Sequence, residues 1–196
     1  MVRGMTQSEK TRAWIEVIPE EAATGELKAL YEEIRQRRGK IANILAAQSL
    51  HPGALRAHLE LYLQVMFSRS GLSRAERELV AVVVSAANRC GYCVQHHAEA
   101  LNAYWKDPER VARAVEDYRK LVLPERTRAL LDHAVKLTRT PHQVTQADLE
   151  RLRALGWTDR DLLDLTLIVA YFNLVNRIAL GLGVTLTAEE VQGYRY

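Results

Sequence analysis

Three stretches of this chain carry the same start signal. Ser73 is followed by Glu76, Thr145 by Asp148 and Thr158 by Asp161, each a hydroxyl with a carboxylate three residues on. Such a pair satisfies two otherwise unpaired backbone N–H groups where a helix begins, and each one opens an apolar-periodic run. Pro108 and Pro124 mark two further beginnings, because proline's fixed φ suits a first helical turn and its missing N–H costs nothing there. After Thr24, the residues Leu27, Leu30, Tyr31 and Ile34 recur at helical spacing. A shorter segment, "IANILAAQSL", stops at His51-Pro52, and "GALRAHLELYLQVMF" resumes the pattern. Alternation of the kind a strand needs is nowhere convincing. The spacing therefore predicts an all-α bundle of about eight helices, with boundaries good to ~2–4 residues. No Gly/Ser/Pro-rich linker divides residues 1–196, which are expected to form a single domain with residues 1–12 disordered.

Two segments set the interior. "ELVAVVVSAA" is apolar nearly all round, and "LTLIVAYFNLV" in the last long helix is similar; a helix of that kind belongs in a core. Two of them in a chain of 196 residues predict a homo-oligomer (dimer, trimer or hexamer) whose contacts cover what one copy leaves open. The stretch "LLDLTLIVAYFNLV" is interrupted by Asp164 and Asn173 and is read as too short to span a bilayer. The N-terminus lacks an apolar signal core, so a cytoplasmic protein is expected. The formal charge is only +3 and basic residues interleave with acidic ones, which argues against a nucleic-acid partner.

Both cysteines fall in "NRCGYCVQHHAEAL". A reducing compartment makes a structural disulfide unusual, so a CxxC pair there points to redox or metal chemistry. Haem attachment requires His directly after the second Cys, and Val94 stands there. On a helix, Cys90, Cys93 and His97 fall at i, i+3 and i+7 and form one stripe, whereas Tyr92 and His96 point elsewhere. Asn88 is a favoured N-cap and would place both thiols in the first turn of a new helix, where unpaired N–H groups stabilise a thiolate. Glu78 lies in the apolar helix just upstream, about 120° from Cys90 on an unbroken helix. A break at Asn88–Arg89 would fold the two helices together and return that carboxylate to the thiols for proton exchange.

The set Glu78, Cys90-Gly-Tyr-Cys93 and His97 resembles the Glu…Cys-x-x-Cys-x-x-x-His signature of the AhpD-like branch of the carboxymuconolactone decarboxylase superfamily. The run from Leu137 to Val184 is similar to that branch's uncharacterised peroxidase-related members, and the likeness extends from about Trp14 onward. The resemblance implies an all-helical, homo-oligomeric thiol peroxidase needing neither cofactor nor metal. Cys93 would be the attacking thiolate, Cys90 the resolving thiol, and His97 with Glu78 the proton relay. The substrate would be a small hydroperoxide, and a thiol or lipoyl-type reductant would reopen the disulfide. Characterised hydroperoxidases of the family have His directly before the second Cys, where this chain has Tyr92.

Several alternatives stay open at this point, a non-enzymatic redox sensor or purely structural oligomer among them. The pair could serve disulfide reduction or a redox relay without peroxide turnover. An acid–base enzyme of the lactone decarboxylase kind would need no thiols. Zinc could take Cys90, Cys93 and His97, with Glu78 or His96 as a fourth ligand. His133 is read as a packed core histidine, His51 and His142 as loop or cap residues. The polar groups of "YFNLVNR" are expected to hydrogen-bond between helices rather than line a pocket.

Overall fold

The computed structural model describes residues 12–194. Among them are nine α-helices and no strand: α1 (Gly25–Arg38), α2 (Asn43–Ala46), α3 (Pro52–Phe67), α4 (Arg74–Ala87), α5 (Gly91–Trp105), α6 (Pro108–Asp117), α7 (Glu125–Arg139), α8 (Gln146–Ala154) and α9 (Asp159–Gly181). The all-α expectation holds, with the one-turn α2 as an additional element. Except for Arg12, the segment expected to be disordered lies outside the described residues.

The local signals act as their chemistry requires. All three hydroxyl–carboxylate pairs form reciprocal capping boxes. Pro108 is the first residue of α6, but Pro124 sits one position earlier than expected, as the N-cap of α7. His51 caps α3, its Nδ1 accepting from the Ala54 N–H at 3.1 Å. The C-terminal carbonyls of α3 would be orphaned in the loop before α4. Arg77, itself buried, donates from Nη1 to Met66 O at 2.9 Å and from Nη2 to Ser68 O at 2.8 Å.

α4 is the central helix. Val80, Ala81, Val82, Val83 and Val84 are all buried, and the helix packs against α5, α6, α7 and α9. Each valine so enclosed contributes about 1.5 kcal/mol, so this one run anchors the elements that carry the site. The apolar stretch read as too short to span a bilayer lies within α9, a longer helix that the sequence also placed here. Its 23 residues would reach roughly 34 Å, enough by length and composition to cross a membrane. Half of its most apolar window is nevertheless buried against the rest of the chain, where it packs on α3, α4 and α7.

The chain after α9 turns back over the bundle. Gly183 has φ +57°, and a Cβ there would strike the Trp14 ring, so only glycine lets the two segments meet. Trp14 N–H donates to Leu182 O at 2.8 Å, and Thr185 N–H to Arg12 O at 2.9 Å. The tail then reaches the loop between α1 and α2, where Lys40 Nζ donates to the Glu189 carbonyl and to Glu190 O at 3.1 Å.

Candidate active site

The corner between α4 and α5 builds the sulfur site. Arg89 adopts φ +56°, a left-handed conformation that costs a non-glycine residue roughly 1 kcal/mol, and the chain reverses there. The expected break is present, but the expected cap is not. Asn88 ends α4 instead of starting α5, because its Nδ2 is drawn across to α9, donating to Asn173 Oδ1 at 3.1 Å and Asn176 Oδ1 at 2.9 Å. The new helix therefore starts later, with Cys90 itself as N-cap. The N–H groups of Tyr92 and Cys93 lie near the Cys90 sulfur, without the geometry of full capping bonds.

Both thiols are free and buried, and their sulfurs are hydrogen-bonded to each other. The bond from Cys93 is the main influence drawing Cys90 down to about 7; burial opposes it, and the nearby backbone N–H groups assist. Cys93 moves the opposite way, pushed well up by the hydrogen bond with Cys90 and then by burial, with Asn176 opposing. The pair thus gives up its first proton readily and holds the second firmly, with Cys90 the sulfur drawn down and Cys93 the one pushed up. A coupled pair of this kind titrates as a unit. Reaction of the reduced protein with iodoacetamide should accordingly rise with pH through about 7 and level off above it. An unperturbed thiol would keep gaining until about 8.5, so a midpoint there would contradict the downward shift of Cys90.

The fold-back brings Glu78 to His97 and Arg74 and not, as expected, directly to the thiols. His97 Nδ1 stands 2.7 Å from Glu78 Oε2, and Arg74 Nη2 donates to Glu78 Oε1 at 2.8 Å. Glu78 is 1% exposed, and a carboxylate so buried is stable only when paired on both oxygens. Its oxygens are engaged by Arg74 and His97, and His97 lines the same cavity as Cys93. The His97 ring lies edge-on to Phe172, with centroids 4.5 Å apart.

Cys93, His97 and Phe172 line a cavity of about 80 Å³ whose walls are mostly apolar and aromatic. Several other lining residues come from elements far away in sequence. Tyr92 Oη donates to Glu190 Oε1 at 2.6 Å and accepts from the Ile44 N–H at 3.1 Å. Glu190, a buried carboxylate of the tail, also accepts from the Asn43 N–H at 2.6 Å. His96 does not point away, as the helical stripe implied. Its ring stacks on Tyr92 at 4.5 Å and meets Tyr194 at 5.4 Å, with Nε2 3.5 Å from Glu190 Oε1. That separation suits an ion pair better than a hydrogen bond, and burial lowers the His96 pKa against the pull of Glu190. The position held by Tyr92 is thus built into the tail as a hydrogen-bonded wall.

The polar groups of α9 divide between two roles. Asn176 is fully buried and donates to Ser85 Oγ at 3.1 Å, and Asn173 donates to Thr138 Oγ1 at 3.2 Å, the helix–helix bonding expected of them. Tyr171 and Phe172 line the cavity instead. His133 is buried in α7 as expected. Among the described residues, no three His, Cys, Asp or Glu side chains gather to hold a metal ion. With Arg74 and His97 on its oxygens, Glu78 is unsuited as a further zinc ligand.

Comparison with known proteins gives the family and the fold. Residues 52–118 match the carboxymuconolactone decarboxylase family, a window that contains Glu78, both cysteines and His97. A solved structure from Ralstonia eutropha JMP134, described as an alkylhydroperoxidase AhpD core and uncharacterised peroxidase-related protein, is 32% identical. It covers 93% of this chain and 96% of its own, with a TM-score of 0.85. An uncharacterised peroxidase-related protein from Silicibacter sp. TM1040 is also 32% identical, covering 98% and 100%, with a TM-score of 0.81. The debrominase Bmp8 shares the fold at 17% identity and a TM-score of 0.74, over 94% of this chain and 99% of its own. No curated protein matches the chain. The chain belongs to the carboxymuconolactone decarboxylase superfamily, in its AhpD-like branch.

Proposed function

We propose that the protein is a thiol peroxidase that reduces organic hydroperoxides through Cys93 and Cys90, with His97 and Glu78 as the proton relay. The observation that carries this reading is that Cys93 and His97 line one apolar cavity, while the imidazole is held from behind by a buried, doubly paired carboxylate. Cys93 first passes its proton to Cys90 along the bond between the sulfurs. The Cys93 thiolate attacks the terminal oxygen of ROOH, the O–O bond breaks, and the departing alkoxide takes a proton from His97, leaving ROH and a Cys93 sulfenic acid. Cys90 then gives its proton to His97 and attacks the Cys93 sulfur. Hydroxide leaves, is protonated to water, and a disulfide remains. A dithiol or lipoyl-type reductant in a reducing, cytoplasmic setting reopens it by exchange.

The burial of both sulfurs, 0% and 2% exposed, favours a small substrate over direct exchange with a large disulfide partner. The test is a stopped-flow count of free thiols after mixing pre-reduced protein with cumene hydroperoxide or hydrogen peroxide. Both thiols should disappear at least about 10²-fold faster than free cysteine reacts, with the organic peroxide preferred by the apolar cavity. Loss no faster than that of free cysteine overturns the reading.

The proposal extends to a homo-oligomer. Leu163, Leu167 and Leu174 are all exposed on α9, at spacings that align them on one face. An apolar stripe of this kind marks an interaction surface. Light scattering after gel filtration should give a multiple of 22.2 kDa, and Leu167→Glu should reduce it; a monomer at micromolar concentration removes the extension.

A further inference from the structure

Another wall of the cavity carries a polar chain that this reaction does not use. His58 of α3 and Tyr171 of α9 are both buried, and both line the cavity with Cys93. The direction of each hydrogen in the chain follows from its neighbours. Gln48 Nε2 donates to Ile44 O at 2.9 Å, which fixes the amide so that Oε1 faces His58 Nδ1 at 3.1 Å. An amide oxygen only accepts, so Nδ1 carries the imidazole hydrogen. His58 Nε2 is then a bare acceptor, and at 2.8 Å it takes the Tyr171 hydroxyl hydrogen. Burial keeps both ends of this bond neutral, lowering the His58 pKa to about 4 and raising that of Tyr171 well above its ordinary value. A thiolate at Cys93 would raise the Tyr171 pKa further, which places the phenol within reach of that sulfur's field. The chain ends in an oxygen whose own hydrogen is spent and whose remaining lone pair can only accept.

We propose that Tyr171 Oη is the acceptor for a ligand's O–H in this cavity, so that Gln48, His58 and Tyr171 select apolar molecules bearing a hydroxyl or hydroperoxyl donor over those of the same shape without one. On the peroxidase reading, on which the identity of the natural ligand rests, that donor is the terminal O–H of an organic hydroperoxide before reaction and the hydroxyl of its alcohol afterwards. Tyr171 thereby turns the terminal oxygen toward Cys93. It is a positioning and specificity residue, distinct from the His97 relay.

The test uses the reduced full chain, with Tyr171→Phe as the isosteric variant and circular dichroism to verify its fold. Binding of 2-phenyl-2-propanol and of cumene, the same body without the hydroxyl, is measured by ligand-observed NMR. Comparing the two proteins for each ligand cancels the difference in partitioning. Affinity for the alcohol should fall about 3- to 10-fold in the variant, while that for cumene changes less than about twofold. Equal changes for both ligands, or no alcohol binding to the wild type, overturn the proposal. A ¹⁵N-histidine spectrum of the wild type should place the His58 hydrogen on Nδ1, and an Nε2–H tautomer overturns it without any variant. In kinetics, Tyr171→Phe should slow thiol oxidation by cumene hydroperoxide about 3- to 10-fold and leave reaction with methyl methanethiosulfonate, which has no donor, unchanged. Equal slowing of both reactions reduces Tyr171 to shaping the thiol and overturns its role as acceptor. Should wild-type thiols oxidise no faster than free cysteine, the peroxidase reading fails, while the alcohol–cumene comparison still decides this one.

Discussion

A Cys93→Ser protein is expected to leave cumene hydroperoxide unconsumed, whereas Cys90→Ser consumes one equivalent and stops. The expectation follows from access more than from charge. Cys93 lines the cavity, and a serine hydroxyl in its place is far too weak a nucleophile without a strong adjacent base. The loss should exceed about 10³-fold. In Cys90→Ser the Cys93 proton must go to His97 instead, so the first step is slowed but survives, and the sulfenic acid, having no partner, should accumulate and be trapped by dimedone. The opposite shifts of the two thiols give this pair of variants a second use. If Cys90→Ser is the inert protein and Cys93→Ser reacts once, Cys90 is the attacker and the roles assigned here are reversed. Mass spectrometry of the two dimedone-treated variants distinguishes these outcomes directly.

Glu78→Gln should lower the rate of thiol oxidation by about 10²-fold while leaving much of the stability in place. The glutamine still fills the buried site, but it removes the charge that Arg74 and His97 share at 2.8 and 2.7 Å. Glu78→Ala goes further, leaving the Arg74 and His97 donors without an acceptor beside the core. Removing one partner of a buried pair costs about 3–5 kcal/mol; because Arg74 is partly exposed, the lower end applies, read as a shift in urea midpoint. The two variants separate relay from scaffold. A glutamine protein oxidised at the wild-type rate would remove the relay from the mechanism, and an alanine protein as stable as wild type would show that the pair contributes little to folding.

Much of the architecture was legible because its determinants are local. Capping boxes join residues three apart, and the apolar run in α4 specifies its own burial. The return of Glu78 to α5 was also legible, since a break at residues 88–89 is enough to fold two consecutive helices together, but the carboxylate meets His97 and Arg74 instead of the thiols it was expected to join. Asn88 misled for a physical reason. Its capping preference was outcompeted by asparagines on α9, 85 and 88 residues away, which helix-start chemistry cannot register. The same distance hid the rest of the cavity. Gln48, His58 and Tyr171 carry no motif, and their alignment depends on α3 packing against α9. Glu190 lies in a short stretch without helical periodicity, yet it supplies the carboxylate behind Tyr92. His96 was set aside on helical geometry, which places a side chain on a face but does not say what the tail later brings to that face.

The tail's place in the cavity wall has a practical consequence. The sulfurs, His97 and Glu78 all lie in one short stretch of α4 and α5, inside the segment shared with the wider family, whereas Tyr171, Glu190 and Tyr194 come from the far end of the chain. A variant library confined to residues 183–194 would therefore alter the cavity wall around Tyr194 without changing Cys90, Cys93, His97 or Glu78.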